Sequence, residues 1–201
     1  MTTSKKPRGR ELGLPFPGKT GPLNAITDVP GVLVGYTTLD GTTADGKIIK
    51  TGVTALLPRG HIKEPQPVWA GLHRFNGNGE MTGTHWIEDA GYFFGPILIT
   101  NTHSVGMVHH AAVRWMITQY AQAWAERPMW AMPVVAETYD GEFSDIDGLH
   151  VTEAHALAAL NGAKAGPVEE GNVGGGNGMR CYKFKGGTGT SSRAIEVDGK
   201  P

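Results

Sequence analysis

Hydrophobic and polar positions along the chain change period several times, and each change marks an element. Residues 26–39, ITDVPGVLVGYTTL, carry a strand pattern broken by a turn at Pro30-Gly31. Residues 48–60, IIKTGVTALLPRG, read as another strand, rich in β-branched residues and Leu and ending at Pro58. GPILITNT, residues 95–102, is a short continuous apolar run, which suits a strand buried on both faces. The period then becomes helical over residues 104–126. Val105, Val108, Ala112, Trp115, Met116, Gln119 and Ala123 share one face, all apolar except Gln119. Thr102 or Ser104 can cap the start of this helix, and Pro128 lies just past its end.

MPVVAETYDG, residues 132–141, reads as a strand followed by a turn. Residues 152–166 form a second helix, capped by Thr152 and stopped near Gly162. Residues 179–197 suggest a hairpin-like pair of strands joined by a glycine turn. Asp198-Gly199 is then a strong hairpin-turn signal, which predicts a returning strand. An unpaired edge there would be a liability, so the missing strands are expected from another segment or chain. Residues 1–24, rich in Pro, Gly and Lys, read as an extended arm, and residues 25–201 as a portion of a single domain.

Composition narrows the function. Apolar residues make up 39% and charged residues 18% of the 201, an ordinary soluble mix with enough material for a core. The net charge is −1, and Lys and Arg concentrate only in the initial SKKPRGRE, so nucleic-acid binding is not expected. No apolar run has the length a membrane span needs, and no signal-type segment follows the basic start. A cytoplasmic location fits, or a periplasmic one if a signal peptide has been removed. Cys181 is the single cysteine, which excludes an intrachain disulfide and a cysteine-based metal cluster. His109 and His110 are adjacent on a helix and so point about 100° apart, poor geometry for chelation. Neither a metal nor any other cofactor is expected.

Gly is the outlier, at 30 of 201 residues. EGNVGGGNGM, residues 170–179, holds five of them. It lacks the spacing of a dinucleotide fingerprint and the Gly-Lys-Ser/Thr of a phosphate loop, and a strand pattern follows it. Its bland reading is a tight backbone crossing. NGNGEMTG, residues 76–83, alternates Asn76 and Asn78 with glycines; it is either a plain turn or a loop that aims amides at a ligand. VVAETYDG places Glu137 and Tyr139 at the end of a strand, on one side by alternation. With Asp140 beside it, Glu137 can hold an ammonium group, or it can be a solvated turn carboxylate. None of Ser4, Ser104, Ser144, Ser191 or Ser192 sits on a G-x-S-x-G elbow.

Seven stretches occur in order: LNAITDVPGVLVGYTT, TGVTALLPRG, NGNGEMTGTHWIEDAG, GPILITNTHSVG, PVVAETYDGEFSDIDGLHV, GPVEEGNVGGGNGM and FKGGTGTSSR. In these the chain resembles the L-aminopeptidase/D-esterase-amidase family, which includes the β-peptidyl aminopeptidases. The resemblance runs from about residue 10 onward. It implies an α+β fold, a layered α-β-β-α sandwich completed by a second (β) subunit. A precursor would cut itself before a serine, which becomes the N-terminal nucleophile of the β-subunit. An asparagine would complete the oxyanion hole. The resemblance puts both residues beyond Pro201, so this chain reads as an α-subunit with no catalytic residue of its own. It assigns Glu137 to the substrate's amino group, with Tyr139 as its pocket neighbour. Asn76 and Asn78 are candidate substrate contacts, and the backbone of Gly174, Gly175 and Gly176 is placed near the cleft or the β-subunit strands. The expected activity is release of N-terminal residues from short peptides, amides or esters, by a homo-oligomer of αβ units. The alternatives are an ornithine acetyltransferase-like acyltransferase of related fold, which would use threonine as nucleophile, and a non-catalytic ligand-binding module.

Overall fold

The computed structural model describes residues 7–198. In chain order the strands are β1 (Leu33–Thr42), β2 (Ile48–Leu57), β3 (Val68–Trp69), β4 (Tyr92–Phe93), β5 (Ile97–Asn101), β6 (Val134–Thr138), β7 (Arg180–Cys181) and β8 (Phe184–Lys185). The helices are α1 (Thr84–Ala90), α2 (Val105–Gln119), α3 (Ala121–Glu126) and α4 (Glu153–Asn161). A four-stranded mixed sheet in the order β1-β2-β5-β6 organises them. β1 and β2 form a hairpin over the full run from Leu33 opposite Leu57 to Thr42 opposite Ile48. β5 joins β2 antiparallel, whereas β5 and β6 are parallel and are connected through α2 and α3.

One face of the sheet carries the main core. Val53, Ala55 and Leu57 of β2, Leu98 of β5 and Val135 of β6 pack against Val105, Val108, Ala111, Ala112, Trp115 and Met116 of α2. Ala156, Ala159 and Leu160 bring α4 into the same cluster, and the Trp115 indole donates to Asn161 Oδ1 at 3.0 Å to join the two helices. Burial of this apolar surface is what holds α2 and α4 on the sheet, at about 25 cal/mol per Å² removed from water. A smaller cluster of Ile87, Phe93 and Val134 seats α1 and the β3–β4 pair at the other side of β6.

Several local expectations are corrected. Ile26–Asp28 is a 3₁₀ turn rather than strand; Gly31, at φ 87°, completes the reversal, and β1 begins only at Leu33. The long helix is interrupted at Tyr120, whose φ of −105° and ψ of 16° leave the helical region while its ring enters the core. β5 is buried on its helix side, but Ile97 and Ile99 on the other side are only half-buried. The hairpin turn of β7 and β8 is made by Tyr182 and Lys183, at φ 48° and 66°, not by glycine. Among the described residues no strand runs through 188–196; this stretch instead lies along the N-terminal segment. Ala194 N–H donates to Lys19 O at 2.8 Å, and the Ser192 hydroxyl donates to Asp28 at 2.6 Å. Arg8 is anchored there too, donating to Asn24 O and pairing with Glu170 at 2.6 Å. The Gly199 half of the turn expected at Asp198-Gly199 lies outside the described residues, as does the basic stretch of residues 4–6.

Candidate functional site

Glu137 is the fourth residue of β6 and is half-buried. Two neighbouring segments hold it. Parallel pairing sets Thr100 opposite Glu137 and Asn101 opposite Thr138, so the chain leaving β5 passes beside the end of β6. Thr102, the next residue, donates its hydroxyl to Glu137 Oε2 at 2.5 Å. On the other side, Glu137 N–H donates to Glu80 O at 3.0 Å. This brings the Asn76–Glu80 loop against the carboxylate: a Cβ built on Gly79 would lie 2.9 Å from Glu137 Oε1.

The other candidates are placed as follows. Asn76 Oδ1 accepts the N–H of Asn78 at 2.8 Å, an Asx turn that shapes the loop, and both residues are exposed. β6 ends at Thr138, so the alternation that would align Tyr139 with Glu137 stops one residue short. The Tyr139 ring is 47% exposed and folds over its own turn, next to Gly141. Asp140, unlike its half-buried neighbour Glu137, is 1% exposed. Burial pushes its carboxyl up from the ordinary value, opposed in part by the nearby Thr51 and Asn101 side chains. Neither carboxylate oxygen has a hydrogen-bond partner among the described residues. Around it Asn101 Nδ2 donates to Thr51 Oγ1 at 3.0 Å, and Asn177 Nδ2 to the carbonyls of Leu39 and Thr51 at 3.0 and 3.3 Å.

Gly174, Gly175 and Gly176 are buried, and their polar groups are taken up within the chain. Gly174 N–H donates to Thr38 Oγ1 at 2.9 Å and Gly175 N–H to Thr54 Oγ1 at 3.1 Å. Gly175 O accepts the Thr138 hydroxyl at 2.7 Å. A Cβ on Gly175 would come within 2.7 Å of Ile99 O, and one on Gly178 would collide with Lys50 O. The run is dense in glycine because backbone crosses directly over strands. Beyond this crossing the same face is an open, mainly apolar trough lined by Val34, Tyr36, Leu56, Ile99, Thr138 and Thr188. Burial, with Glu169 and Glu170 nearby, pushes the Tyr36 hydroxyl up to about 12.

Thr102, the hydrogen-bond partner of Glu137, carries no site signal in the sequence because its type and position suit a helix cap. The buried Thr51–Asn101–Asp140–Asn177 cluster had no sequence signal, since its members come from four separate segments. Among the described residues no group of three His, Cys, Asp or Glu could hold a metal ion, and no helix is long and apolar enough to cross a membrane.

Residues 24–201 match the model of peptidase family S58. The chain is 55% identical to the β-peptidyl aminopeptidase BapA of Sphingosinicella microcystinivorans, over 98% of this chain and 50% of that protein. Among solved structures it superposes on the L-aminopeptidase D-Ala-esterase/amidase of Ochrobactrum anthropi, a prototype of the serine aminopeptidases with a variant of the Ntn hydrolase fold. The TM-score is 0.92 at 59% identity, covering 97% of this chain and 55% of that one. A Burkholderia sp. β-aminopeptidase matches with a TM-score of 0.85 and 51% identity, over 95% of this chain and 53% of the other. The chain spans about half the length of the curated relatives it matches. Its fold is thus an Ntn-hydrolase-like α+β fold with a mixed sheet and helices.

Proposed function

The chain belongs to peptidase family S58, and from that premise we propose that it is the α-subunit portion of a self-processing serine aminopeptidase. The enzyme would release N-terminal residues from short peptides, amides or esters. Glu137 would bind the substrate's ammonium group. One observation carries this reading: a half-buried carboxylate at the end of β6 has one oxygen bonded to Thr102 and the other beside a glycine. An α-amino group has a pKa near 8, so it is largely cationic at neutral pH and suits such a partner. A β-subunit from the same precursor would bring the nucleophilic serine and the oxyanion asparagine. The apolar trough over Val34, Leu56 and Ile99 is where its sheet would pack, as the second sheet of the α-β-β-α sandwich. Oligomers of such αβ units are part of the same proposal.

The complete gene product tests it. Expressed protein should give two unequal bands on a denaturing gel, with serine at the N-terminus of one of them. A threonine there would point to acyl transfer instead, and a single uncleaved band with full activity would overturn the reading. Glu137→Gln keeps the shape and removes the charge. Hydrogen bonds to charged groups contribute about 1.5–3 kcal/mol. At about 1.36 kcal/mol per factor of ten, kcat/KM for free-amine substrates should fall about tenfold to a hundredfold. Self-processing should survive. An unchanged rate on free-amine substrates would leave Glu137 as an ordinary turn residue.

A further inference from the structure

We propose that Thr102 is a positioning residue for Glu137: its hydroxyl holds Oε2 and so fixes the orientation in which the carboxylate receives the substrate ammonium. The proposal rests on the reading of Glu137 as the ammonium-binding group.

The 2.5 Å separation of Thr102 Oγ1 and Glu137 Oε2 lies in the range of a charge-assisted O–H···O⁻ bond. The backbone fixes both ends of it. β5 and β6 are paired in parallel up to Asn101 and Thr138, so Thr102 leaves a strand that is already locked in register beside Glu137. A β-branched side chain adds stiffness at χ1. What the hydroxyl does not do is equally informative. Thr102 opens the 3₁₀ turn Thr102–Ser104 that leads into α2, and Thr and Ser are preferred helix caps. Yet neither Asn101, which caps this turn, nor Ser104, at the N-cap of α2, makes a side-chain cap bond, and Ser104 Oγ has no hydrogen-bond partner among the described residues. The helix start is left without that support while the Thr102 hydroxyl goes to the carboxylate.

Gly79 supplies the other half of the arrangement. A methyl group there would stand 2.9 Å from Oε1. A side chain would crowd the carboxylate, so only glycine lets the loop lie this close to Oε1. Glu80 O, accepting Glu137 N–H at 3.0 Å, keeps the loop from swinging away.

Thr102→Val removes the hydroxyl at nearly constant shape, and Thr102→Ser retains it. Both are made in the complete gene product and measured on a free-amine aminoacyl anilide and on the same anilide lacking the amino group. Thr102→Val should raise KM for the free-amine substrate about tenfold, with kcat within about twofold and the residual rate on the des-amino substrate unchanged. Thr102→Ser should stay close to the original enzyme. An unchanged KM in Thr102→Val, equal losses on both substrates, or no rescue by Ser would each overturn the proposal. Should Thr102→Val fail to fold, Thr102→Ala decides: it must raise KM for the free-amine substrate alone, and an unchanged KM would sink the idea. Glu137→Gln run in parallel separates the two levels. If it leaves free-amine hydrolysis intact, the ammonium reading fails and Thr102 with it. If it lowers that rate while Thr102→Val does not, only the role of Thr102 is lost.

Discussion

The sheet is covered in two different ways on its two faces. On one, Val53, Ala55, Leu57, Leu98 and Val135 meet the apolar stripes of α2 and α4, side chain against side chain. On the other, backbone meets backbone: the run Gly174–Gly176 crosses the strands and is tied to them by the hydroxyls of Thr38, Thr54 and Thr138. The first face is specified by volume and hydrophobicity, which many sequences satisfy. The second is specified by the absence of side chains and by single hydroxyls at set places. Tolerance to substitution should differ accordingly.

The largest effect is expected on the helix side. Leu98 is fully buried, and Leu98→Ala should lower unfolding free energy by about 2–5 kcal/mol, read from denaturant midpoints. A smaller loss would mean that α2 and α4 relax onto the sheet. On the other side, Gly175→Ala adds only one methyl, yet the place for it is 2.7 Å from Ile99 O. Overpacking of this kind should cost about 1–3 kcal/mol, a large figure for so small a change. A neutral Gly175→Ala variant would show that the crossing is not tightly packed and would erase the contrast between the faces.

The smallest effect concerns Asp140, in the buried polar cluster at the strand ends. Burial raises its carboxyl above the unfolded value of about 3.9, so its favourable contribution is complete below that pH. It is lost as pH rises through the raised folded value. Asp140→Asn cannot ionise. Relative to the original chain, the variant should therefore gain stability as pH rises above about 4. The gain should be about 1 kcal/mol, the low end of the cost of an unsatisfied buried polar group. Parallel pH profiles of the two proteins would show that Asp140 carries no such penalty.

These differences also decide what could be read from sequence. β1, β2, β5, β6, α2 and α4 follow from hydrophobic period, because the helix-side core is built from that period. α1 and the β3–β4 pair carry no clear pattern; they are held by a three-residue cluster of Ile87, Phe93 and Val134. The break at Tyr120 has no Gly or Pro to announce it, and the β7–β8 turn uses Tyr182 and Lys183, residues that seldom take positive φ. At the site, Glu137 stood out from its strand-end position and from family resemblance. Thr102 did not, because its contact depends on the parallel pairing of two strands thirty-odd residues apart, which no local pattern encodes.

The glycine crossing has a consequence for how the molecule assembles. Residues 173–177 come after all four strands of the sheet in the chain, yet they bridge three of them. Glycine has more backbone freedom to lose than any other residue, and Val173 is the single apolar side chain in this stretch to draw it toward the sheet early. Its docking should follow collapse of the helix side rather than accompany it. In the folded protein the same stretch is a natural first place to lift away, with the Gly174 and Gly175 amides exchanging their hydrogens sooner than those of β2 and β5. The nascent chain would pass through a stage with one side of its sheet sealed and the other still wet.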